Sequence, residues 1–393
     1  MREEMTTLGE SCQFFNGKAH EKDIDAEGQF VVVNSKFIST DGEVKKFTAK
    51  QMFPLVVNDI VMVMSDVPNG KALAKCYMIE ENDKYSLNQR ICAIRTTEFN
   101  IRFLYYQLNR HPYLLGFNNG ENQTNLRKGD ILDCPLWKPS LDVQEHIVKI
   151  LDEALDHIEQ AQFNIGQNIN NTKELFQSKL NQIFSKKGNG WEENKLGDMS
   201  KIMYGYTSKV VEDGNVQYVR ITDIQDGKVD WDTVPYVNIS DKEKSKYKLT
   251  EGDIVFARTG ATTGKSYLMV SPPNSVFASY LIRVQCDNQI LEPSFLYLFF
   301  QSGIYWKNVL DGITGSAQGG FNATKLGNMN IHFPNDKNAQ LHFVKVIEEF
   351  KIETDSIEQY YQSKMTSLEE LKQSILIKAF SGQLINHQEP ITA

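Results

Sequence analysis

A long internal repeat constrains the fold of this chain more than any other sequence feature. Residues 144–185 align with residues 340–381 without a net gap, one copy opening QEHIVKILDE and the other QLHFVKVIEE. In both copies apolar residues recur at three- and four-residue steps, which predicts a long amphipathic helix. Each copy follows a larger, turn-rich segment with strand-like apolar runs. The chain is therefore predicted to alternate two similar globular segments with two helical spacers.

The repeat extends into the globular segments, where shorter motifs recur in the same order. The matched pairs are TLGE with KLGD, NDIVMVMSDVPNGK with GDIVFARTGATTGK, and RFLYYQLN with SFLYLFFQ. The last pair predicts a short helix in each half. Turns are indicated by Asp41-Gly42 and Asp226-Gly227. We expect an α+β fold with two related domains.

Both spacer helices carry recognisable end signals. Ser140 is a candidate N-cap for the first helix, and Asp336 or Asn338 for the second. A helix of about 40 residues is about 60 Å long. Two such helices packed as an antiparallel coiled coil would relate the globular halves by an approximate two-fold axis. The apolar stripe expected on these spacer or partner-binding helices includes Ile147, Leu151, Leu155, Ile158, Phe343, Ile347, Phe350 and Ile357.

These patterns divide the chain into consecutive segments. The helical spacers have a simpler alternative role, in which a hairpin only holds two domains together or dimerises. The predicted boundaries are 1–140 for the first globular domain, 141–187 for the central spacer helix, 188–194 for a linker, 195–335 for the second globular domain, 336–385 for the C-terminal spacer helix and 386–393 for a flexible tail.

Composition bears on the class of partner and on location. The net charge is −8, whereas DNA affinity rests largely on Lys and Arg, so the chain alone should bind DNA weakly. The globular segments are closer to neutral, with 17 basic and 18 acidic residues in 1–140 and 14 of each in 195–335. No apolar run approaches the roughly 20 residues of a membrane span. The acidic start MREEMTTLGE is unlike a signal peptide, and five scattered cysteines favour a reducing, cytoplasmic location.

Motifs with catalytic spacing are missing from the sequence. The run GATTGKS has three residues between its glycines, where a phosphate-binding loop has four. The tetrapeptide SPPN lacks the aromatic residue with which amino-methyltransferases stack on a flipped base. The seven histidines show no metal-ligand spacing, and no Gly-x-Ser-x-Gly elbow occurs. We expect no catalytic residues, no metal and no cofactor in this chain.

Polar residues in the recurring loops are candidates for DNA contacts, because Arg and Lys suit guanine, Asn and Gln suit adenine, and Ser and Thr suit either. For any single residue, an ordinary solvated loop is the commoner role. The first half offers Asn34, Lys36, Ser65, Asn69, Lys71, Asn88, Gln89, Arg90, Gln123 and Asn125. The second offers Tyr206, Arg220, Thr222, Arg258, Thr259, Lys265, Ser316, Gln318 and Asn322. Because the two sets differ on a shared framework, we expect two different half-site sequences.

Three parts of the sequence point to a known family. They are the passage GDIVFARTGATTGKSY, the segment from Phe321 to Pro334 and the two helices beginning Gln-x-His-x-Val-Lys. In these parts the chain resembles the specificity (S) subunit of type I restriction–modification systems. The resemblance covers nearly the whole chain. It implies two target-recognition domains that each read one part of a split double-stranded DNA sequence, and helices that set the gap between the parts. It also implies two methyltransferase (M) subunits that modify adenine N6, and restriction (R) subunits that join for cleavage. In the first half, MSDVPNG replaces the Arg-Thr-Gly loop of the family.

The sequence thus predicts a non-catalytic DNA-recognition subunit of a host-defence complex. One alternative is a self-contained DNA methyltransferase, which would transfer methyl groups without any other chain. A second alternative is a helical scaffold that binds only proteins. The scaffold would show no salt-dependent DNA binding even with its partners present, whereas phosphate contacts give a steep salt dependence.

Overall fold

The computed structural model describes residues 4–20, 22–68, 70–186, 188–225, 227–314 and 321–384. The chain divides into two compact units. Unit 1 comprises residues 1–164 and 364–393, and unit 2 comprises residues 165–363. Each unit thus contains one globular domain together with a segment of each long helix. No helix in the described ranges is long and apolar enough to cross a membrane.

The first domain is built from short strands and helices, followed by one long helix. Its strands are β1 (Met5–Thr7), β2 (Gln13–Asn16), β3 (Phe30–Val33), β4 (Phe47–Thr48), β5 (Ile60–Val63), β6 (Ser65–Asp66), β7 (Cys76–Met78), β8 (Tyr85–Leu87), β9 (Ile91–Arg95), β10 (Thr124–Asn125) and β11 (Pro135–Trp137). Its helices are α1 (Leu8–Ser11), α2 (Ser35–Ser39), α3 (Ile101–Leu108), α4 (Pro112–Leu115) and α5 (Lys128–Leu132), and the long helix α6 (Leu141–Phe184) follows.

Two sheets form the body of this domain. In the described residues one sheet has the strand order β2-β9-β5-β7 and is antiparallel, and the other has the order β4-β3-β8 with β3 parallel to β8. Strand β5 is buried at every position, because its alternate side chains enter two different cores. Ile60 and Met62 face a core shared with α3 and the long helices, whereas Val61 and Val63 face the three-stranded sheet. The apolar run of β5 therefore fills the middle layer of the domain.

The second domain repeats this arrangement. Its strands are β12 (Trp191–Lys195), β13 (Ser200–Tyr204), β14 (Val216–Val219), β15 (Ile224–Gln225), β16 (Lys228–Val229), β17 (Tyr236–Val237), β18 (Ile254–Ala257), β19 (Ser266–Leu268), β20 (Ser275–Phe277), β21 (Leu281–Cys286) and β22 (Asn330–Pro334). Its helices are α7 (Asp241–Tyr247), α8 (Pro293–Phe299), α9 (Gly303–Thr314) and α10 (Ala323–Gly327), and the long helix α11 (Lys337–Phe380) follows.

The sheets of the second domain correspond strand by strand to those of the first. The order β13-β21-β18-β19 matches β2-β9-β5-β7, and β17-β14-β20 matches β4-β3-β8, including the parallel pair. The predicted α+β fold with two similar domains and two long helices is confirmed. Residues 191–194, which we predicted to be part of a linker, instead belong to β12, because their backbone pairs with β22 in a continuous ladder.

The two helix segments within unit 2 run antiparallel. Lys173 Nζ lies 3.1 Å from Glu358 Oε1, the rings of Phe176 and Phe350 stack with centroids 6.4 Å apart, and Lys186 Nζ lies 5.0 Å from the ring centroid of Phe343. Thr354 is buried in this seam, whereas Ile357, one turn further along the helix, is 44% exposed. Among the other predicted stripe residues, Ile147, Leu151, Ile158 and Ile347 are buried, and Leu155, Phe343 and Phe350 are half-buried.

A buried glutamine fixes the start of each long helix. Gln144 Oε1 accepts a hydrogen bond from the Asn100 amide at 2.8 Å, and its Nε2 donates to the carbonyl of Pro139 at 2.8 Å. Gln340 Oε1 accepts from the Glu292 amide at 2.7 Å, and its Nε2 donates to Ile290 and Pro334 carbonyls. Asp336 rather than Asn338 caps α11, because its carboxylate accepts from the Asn338 amide at 3.0 Å. The repeated Gln therefore holds each helix to its own domain.

Candidate nucleic-acid interface

Backbone hydrogen bonds establish which loop positions are equivalent in the two domains. The amide of Asn88 donates to Val33 in the first domain, as that of Ala278 donates to Val219 in the second. The amide of Met64 likewise donates to the carbonyl of Arg90, as that of Arg258 donates to the carbonyl of Tyr280. These hydrogen bonds lie at the C-terminal ends of β3, β8 and β5 in the first domain and of β14, β20 and β18 in the second. The resulting equivalent pairs are Asn34 with Arg220, Lys36 with Thr222, Met64 with Arg258, Ser65 with Thr259, Asn88 with Ala278, and Arg90 with Tyr280.

In the second domain these loop positions surround one open cavity of about 630 Å³. It contains three of the predicted residues, Arg220, Thr222 and Thr259. The others that line it are Ser208, Val210, Tyr218, Ile221, Gly260, Thr262, Ala278 and Tyr280. Tyr280 is 60% exposed and Val210 is 45% exposed, so the rim presents an aromatic ring and a branched aliphatic group to solvent. Such a surface can contact base edges and thymine methyl groups.

The charged groups of this second-domain cavity are partly neutralised. Arg220 Nη2 lies 2.7 Å from Asp223 Oδ1 and its Nε lies 3.1 Å from Oδ2, and these hydrogen bonds raise the pKa of Arg220. Burial raises the pKa of Tyr218, whose hydroxyl donates to the Tyr206 carbonyl at 2.7 Å and so stays a neutral donor. Tyr206 thus adjoins the cavity through its backbone. Arg220 keeps its positive charge, but its guanidinium group already donates two hydrogen bonds to Asp223.

The equivalent positions of the first domain carry different chemistry. Lys36, Gln89 and Arg90 are exposed, and Asn88 is half-buried. Asn34 has a structural role, because its Oδ1 accepts from the Phe37 amide at 2.9 Å and caps α2. Where the second domain presents Tyr280, the first therefore presents a guanidinium group.

A second group of predicted residues forms a carboxamide cluster in the first domain. Ser65 Oγ donates to Asn125 Oδ1 at 2.6 Å and accepts from Gln123 Nε2 at 2.8 Å. Gln123 and Asn125 also line an open cavity of about 360 Å³. The other residues that line it are Phe117, Asn119, Asn122, Thr124, Arg127 and Asp130. Amide groups that hold both donors and acceptors suit adenine.

The other described residues that we predicted in the second domain, Arg258, Asn322 and Lys265, do not line the cavity that contains Arg220 and Thr222. The Arg258 guanidinium lies 4.9 Å from the ring centroid of Tyr204, and its buried Nε has no hydrogen-bond partner among the described residues. Asn322 caps α10 by accepting from the Lys325 amide. Lys265 is exposed but lines another cavity, beside Gln177 and Trp306, so the structure does not bring it to Arg220 and Thr222.

In the first domain, the turn that contains Gly70 and Lys71 is held by the carboxylate of Asp66 rather than by the side chain of Lys71. Asp66 Oδ2 accepts from the amides of Ala72 and Leu73, and a Cβ at Gly70 would lie 2.1 Å from that same oxygen. Lys71 is exposed, and its carbonyl accepts from Arg110. The predicted residues Asn69, Ser316 and Gln318 lie outside the described residues.

The sequence prediction missed several residues that these cavities contain, notably Tyr280, Tyr218 and Phe117. Tyr280 and Arg90 occupy matching positions, but their neighbouring residues differ so much that the sequence repeat gave no alignment there. The described residues include no group of three or more His, Cys, Asp or Glu side chains placed to hold a metal ion. The two loop faces, one around Arg90 in the first domain and one around Tyr280 in the second, offer hydrogen-bond donors, hydrogen-bond acceptors and apolar surface.

Comparison with known proteins identifies the family. The family model described as "Type I restriction modification DNA specificity domain" matches residues 3–171 and again residues 188–366. The type I restriction enzyme EcoBI specificity subunit of Escherichia coli is 24% identical over 331 residues, which cover 76% of this chain and 69% of that subunit. The EcoKI specificity subunit of Escherichia coli strain K12 is 25% identical over 286 residues, which cover 67% of this chain and 61% of that subunit.

The fold is also similar to a solved structure. A chain from work on complex assembly and conformational transition of the type I R-M system superposes with a TM-score of 0.76 at 16% identity, covering 96% of this chain and 97% of that chain. The two stretches matched by the family model are the two copies of the domain-plus-helix repeat. The chain therefore belongs to the type I restriction modification DNA specificity domain family.

Proposed function

We propose that this chain is the DNA sequence-recognition subunit of a type I restriction–modification complex and that it reads a bipartite double-stranded target. The observation that carries the proposal is the family match over both repeats, together with equivalent loop positions that hold different side chains. A shared framework fixes where each side chain stands, and the side chain decides which base edge it pairs with. Residues 1–140 would form one recognition domain and residues 195–335 the other.

The two faces suit different base patterns. In the first domain, exposed Arg90 and Lys36 fit guanine, and the cluster of Ser65, Gln123 and Asn125 fits adenine. In the second, the exposed ring of Tyr280 and the side chain of Val210 fit thymine methyl groups, and Thr222 and Thr259 can pair with several bases. Arg258, Lys71 and Lys265 would contact the sugar–phosphate backbone, which orients the reader without specifying sequence.

The long helices would carry the partners. Two methyltransferase subunits that modify adenine N6 would dock on them, and restriction subunits would join for cleavage. Exposed apolar residues on the helices support a docking role, since Ile352 is 70% exposed and Phe163 is 62% exposed. This chain would contribute sequence selection in the cytoplasm, and the partner subunits would contribute the chemistry.

Methylation mapping tests the proposal directly. Adenine methylation is mapped across the host genome by single-molecule sequencing with this chain present and then deleted. We expect one split, asymmetric motif to disappear on deletion and to return on complementation. A strain carrying Arg90→Ala is the matched variant, and it should alter one half of the motif only. An unchanged methylation map after deletion, in a strain where methylation is otherwise active, would overturn the proposal.

A further inference from the structure

The second domain contains a lysine-rich helix that the first domain lacks. Helix α7 and the residue after it read DKEKSKYK, with Lys242, Lys244, Lys246 and Lys248 at alternate positions. In the first domain the corresponding segment between β4 and β5, residues 49–59, is fully described and has no helix. Residues 241–248 thus carry four lysines against two acidic residues, whereas residues 49–59 carry one lysine and one aspartate.

The lysines of this segment are largely exposed, although Lys246 Nζ lies 4.9 Å from the ring centroid of Tyr247. Lys242, Lys246 and Lys248 are exposed, and Lys244 is half-buried. No described residue forms an ion pair with any of the four. Glu243 is already engaged, because its Oε2 accepts from the Tyr206 hydroxyl at 3.2 Å and from Ser240 Oγ at 3.0 Å. The four lysines exceed the two acidic residues, Asp241 and Glu243, so the segment carries a net charge of +2.

A buried arginine anchors α7 at its C-terminal end. Arg283 is 5% exposed, and its Nη1 donates to the Lys248 carbonyl at 2.7 Å while its Nη2 lies 3.5 Å from the Lys246 carbonyl. Its counter-ion is Asp253, with Oδ2 at 3.6 Å from Nη1. Arg283 stands opposite Val255 in the sheet, and the first-domain residue in that register is Ala93, opposite Val61. At the corresponding described positions of the first domain, neither the arginine nor the helix is present.

The other side of α7 is fixed to the wall of the recognition cavity. Tyr247 packs on Tyr206 with ring centroids 5.3 Å apart and on Phe277 at 6.1 Å. Tyr206 in turn accepts from the hydroxyl of Tyr218, which lines the second-domain cavity. Helix α7 is therefore linked, through Tyr247, Tyr206 and Tyr218, to the cavity that Thr222 and Thr259 also line.

We propose that α7 is a DNA-backbone contact specific to the second recognition domain, with Arg283 as its positioning residue. The proposal rests on the proposed function and deepens it by assigning part of the affinity to phosphate contacts in one half-site. A compact Lys ammonium binds phosphate as a point charge without reading sequence. The helix should therefore raise affinity for every DNA and leave the choice of bases to the neighbouring loops.

The test uses the full chain purified with its methyltransferase subunits. Lys242, Lys244, Lys246 and Lys248 are changed together to Gln, and binding to specific and random duplexes is measured by fluorescence anisotropy from low to physiological salt. Each lost phosphate contact should reduce the magnitude of the negative slope of log affinity against log salt by about 0.9. We expect a loss of about two such contacts, because lysines two residues apart on a helix point to different sides, with an unchanged ratio of specific to random affinity. The variant with four Arg residues, which keeps the charge, should retain the parent slope.

The outcomes separate this proposal from the function it rests on. An unchanged slope in the Gln variant, with sequence preference intact in the parent, would overturn the α7 proposal alone. A lowered slope in a complex that has no sequence preference would support α7 as a phosphate contact and overturn the proposed function. A folded Gln variant that no longer assembles with its methyltransferase subunits would identify α7 as a protein-docking helix and overturn the proposal.

Discussion

Each recognition domain buries an equivalent carboxylate, but the two domains compensate its negative charge in different ways. Asp59 and Asp253 occupy equivalent positions before β5 and β18, and both are at most 1% exposed. Asp59 forms a two-pronged ion pair with Arg95, with distances of 2.7 and 2.8 Å. At the position equivalent to Arg95 the second domain has Gln285, which donates to Asp253 at 3.1 Å, and the charge comes from Arg283 instead. A buried acid therefore requires compensation, but the sheet does not fix which strand position supplies it.

Replacing the two arginines one at a time should give the largest difference in stability between the two domains. Arg283→Ala should cost about 3–5 kcal/mol, because it leaves Asp253 buried without a counter-ion. Arg95→Ala should cost less, about 1–3 kcal/mol, because the Arg95 side chain is 37% exposed and water can reach the vacated site beside Asp59. Hydrogen–deuterium exchange resolved by peptide measures each domain separately. Equal losses of protection in the two domains would contradict the difference in compensation.

The repeated glutamines offer a second comparison. Gln340→Ala removes hydrogen bonds to three backbone groups, and Gln144→Ala removes hydrogen bonds to two. Since each buried group left unpaired costs about 1–3 kcal/mol, we expect a loss of about 2–4 kcal/mol in each variant, with the larger loss for Gln340. Urea unfolding of the full chain, followed by domain-specific exchange, measures both. A loss in the Gln144 variant equal to or larger than that in the Gln340 variant would contradict this ranking.

Equivalent residues on the two recognition faces should affect separate half-sites. Arg90→Ala should relax one base pair in one half of the target at a cost of about 1–3 kcal/mol, and Tyr280→Ala should do so only in the other half. Both side chains are exposed, so stability should change by less than about 0.5 kcal/mol. Methylation motifs from strains carrying each variant supply the measurement. A change in the same half by both variants would contradict the equivalence of the two faces.

The smallest expected effect is a pH dependence specific to the second domain. Burial raises the pKa of Asp253 in spite of hydrogen bonds from Thr250 and the charge of Arg283. A folded-state pKa above the unfolded value means that the folded domain binds the proton more tightly, so this contribution is present at low pH and is lost as pH rises through the folded pKa. Asp253→Asn should remove that part of the pH dependence in the window above the ordinary titration range of an Asp carboxyl. Exchange rates compared across this window provide the check.

The division into domains and helices was accessible from the sequence because it depends on local periodicity. The apolar spacing of residues 144–185 and 340–381 specifies helices, and runs such as FVVV and IVMV specify buried strands. The equivalence of Met64 with Arg258 also followed from the repeat and agrees with the backbone hydrogen bonds to Arg90 and Tyr280. In these cases neighbours in sequence carry the whole signal.

The composition of the candidate site depended on contacts that no local pattern contains. Arg220 and Lys265 looked alike as cations in loops, but Asp223 engages the first and the second lines a different cavity. Asn34 and Asn322 looked like base readers, but each caps a short helix. Arg283 holds α7 by a hydrogen bond to the Lys248 carbonyl, which no local sequence pattern indicates. The sequence alone determined the repeated architecture, whereas only the tertiary structure decided which polar groups are satisfied within the protein and which remain for a ligand, because hydrogen-bond partners are chosen through space.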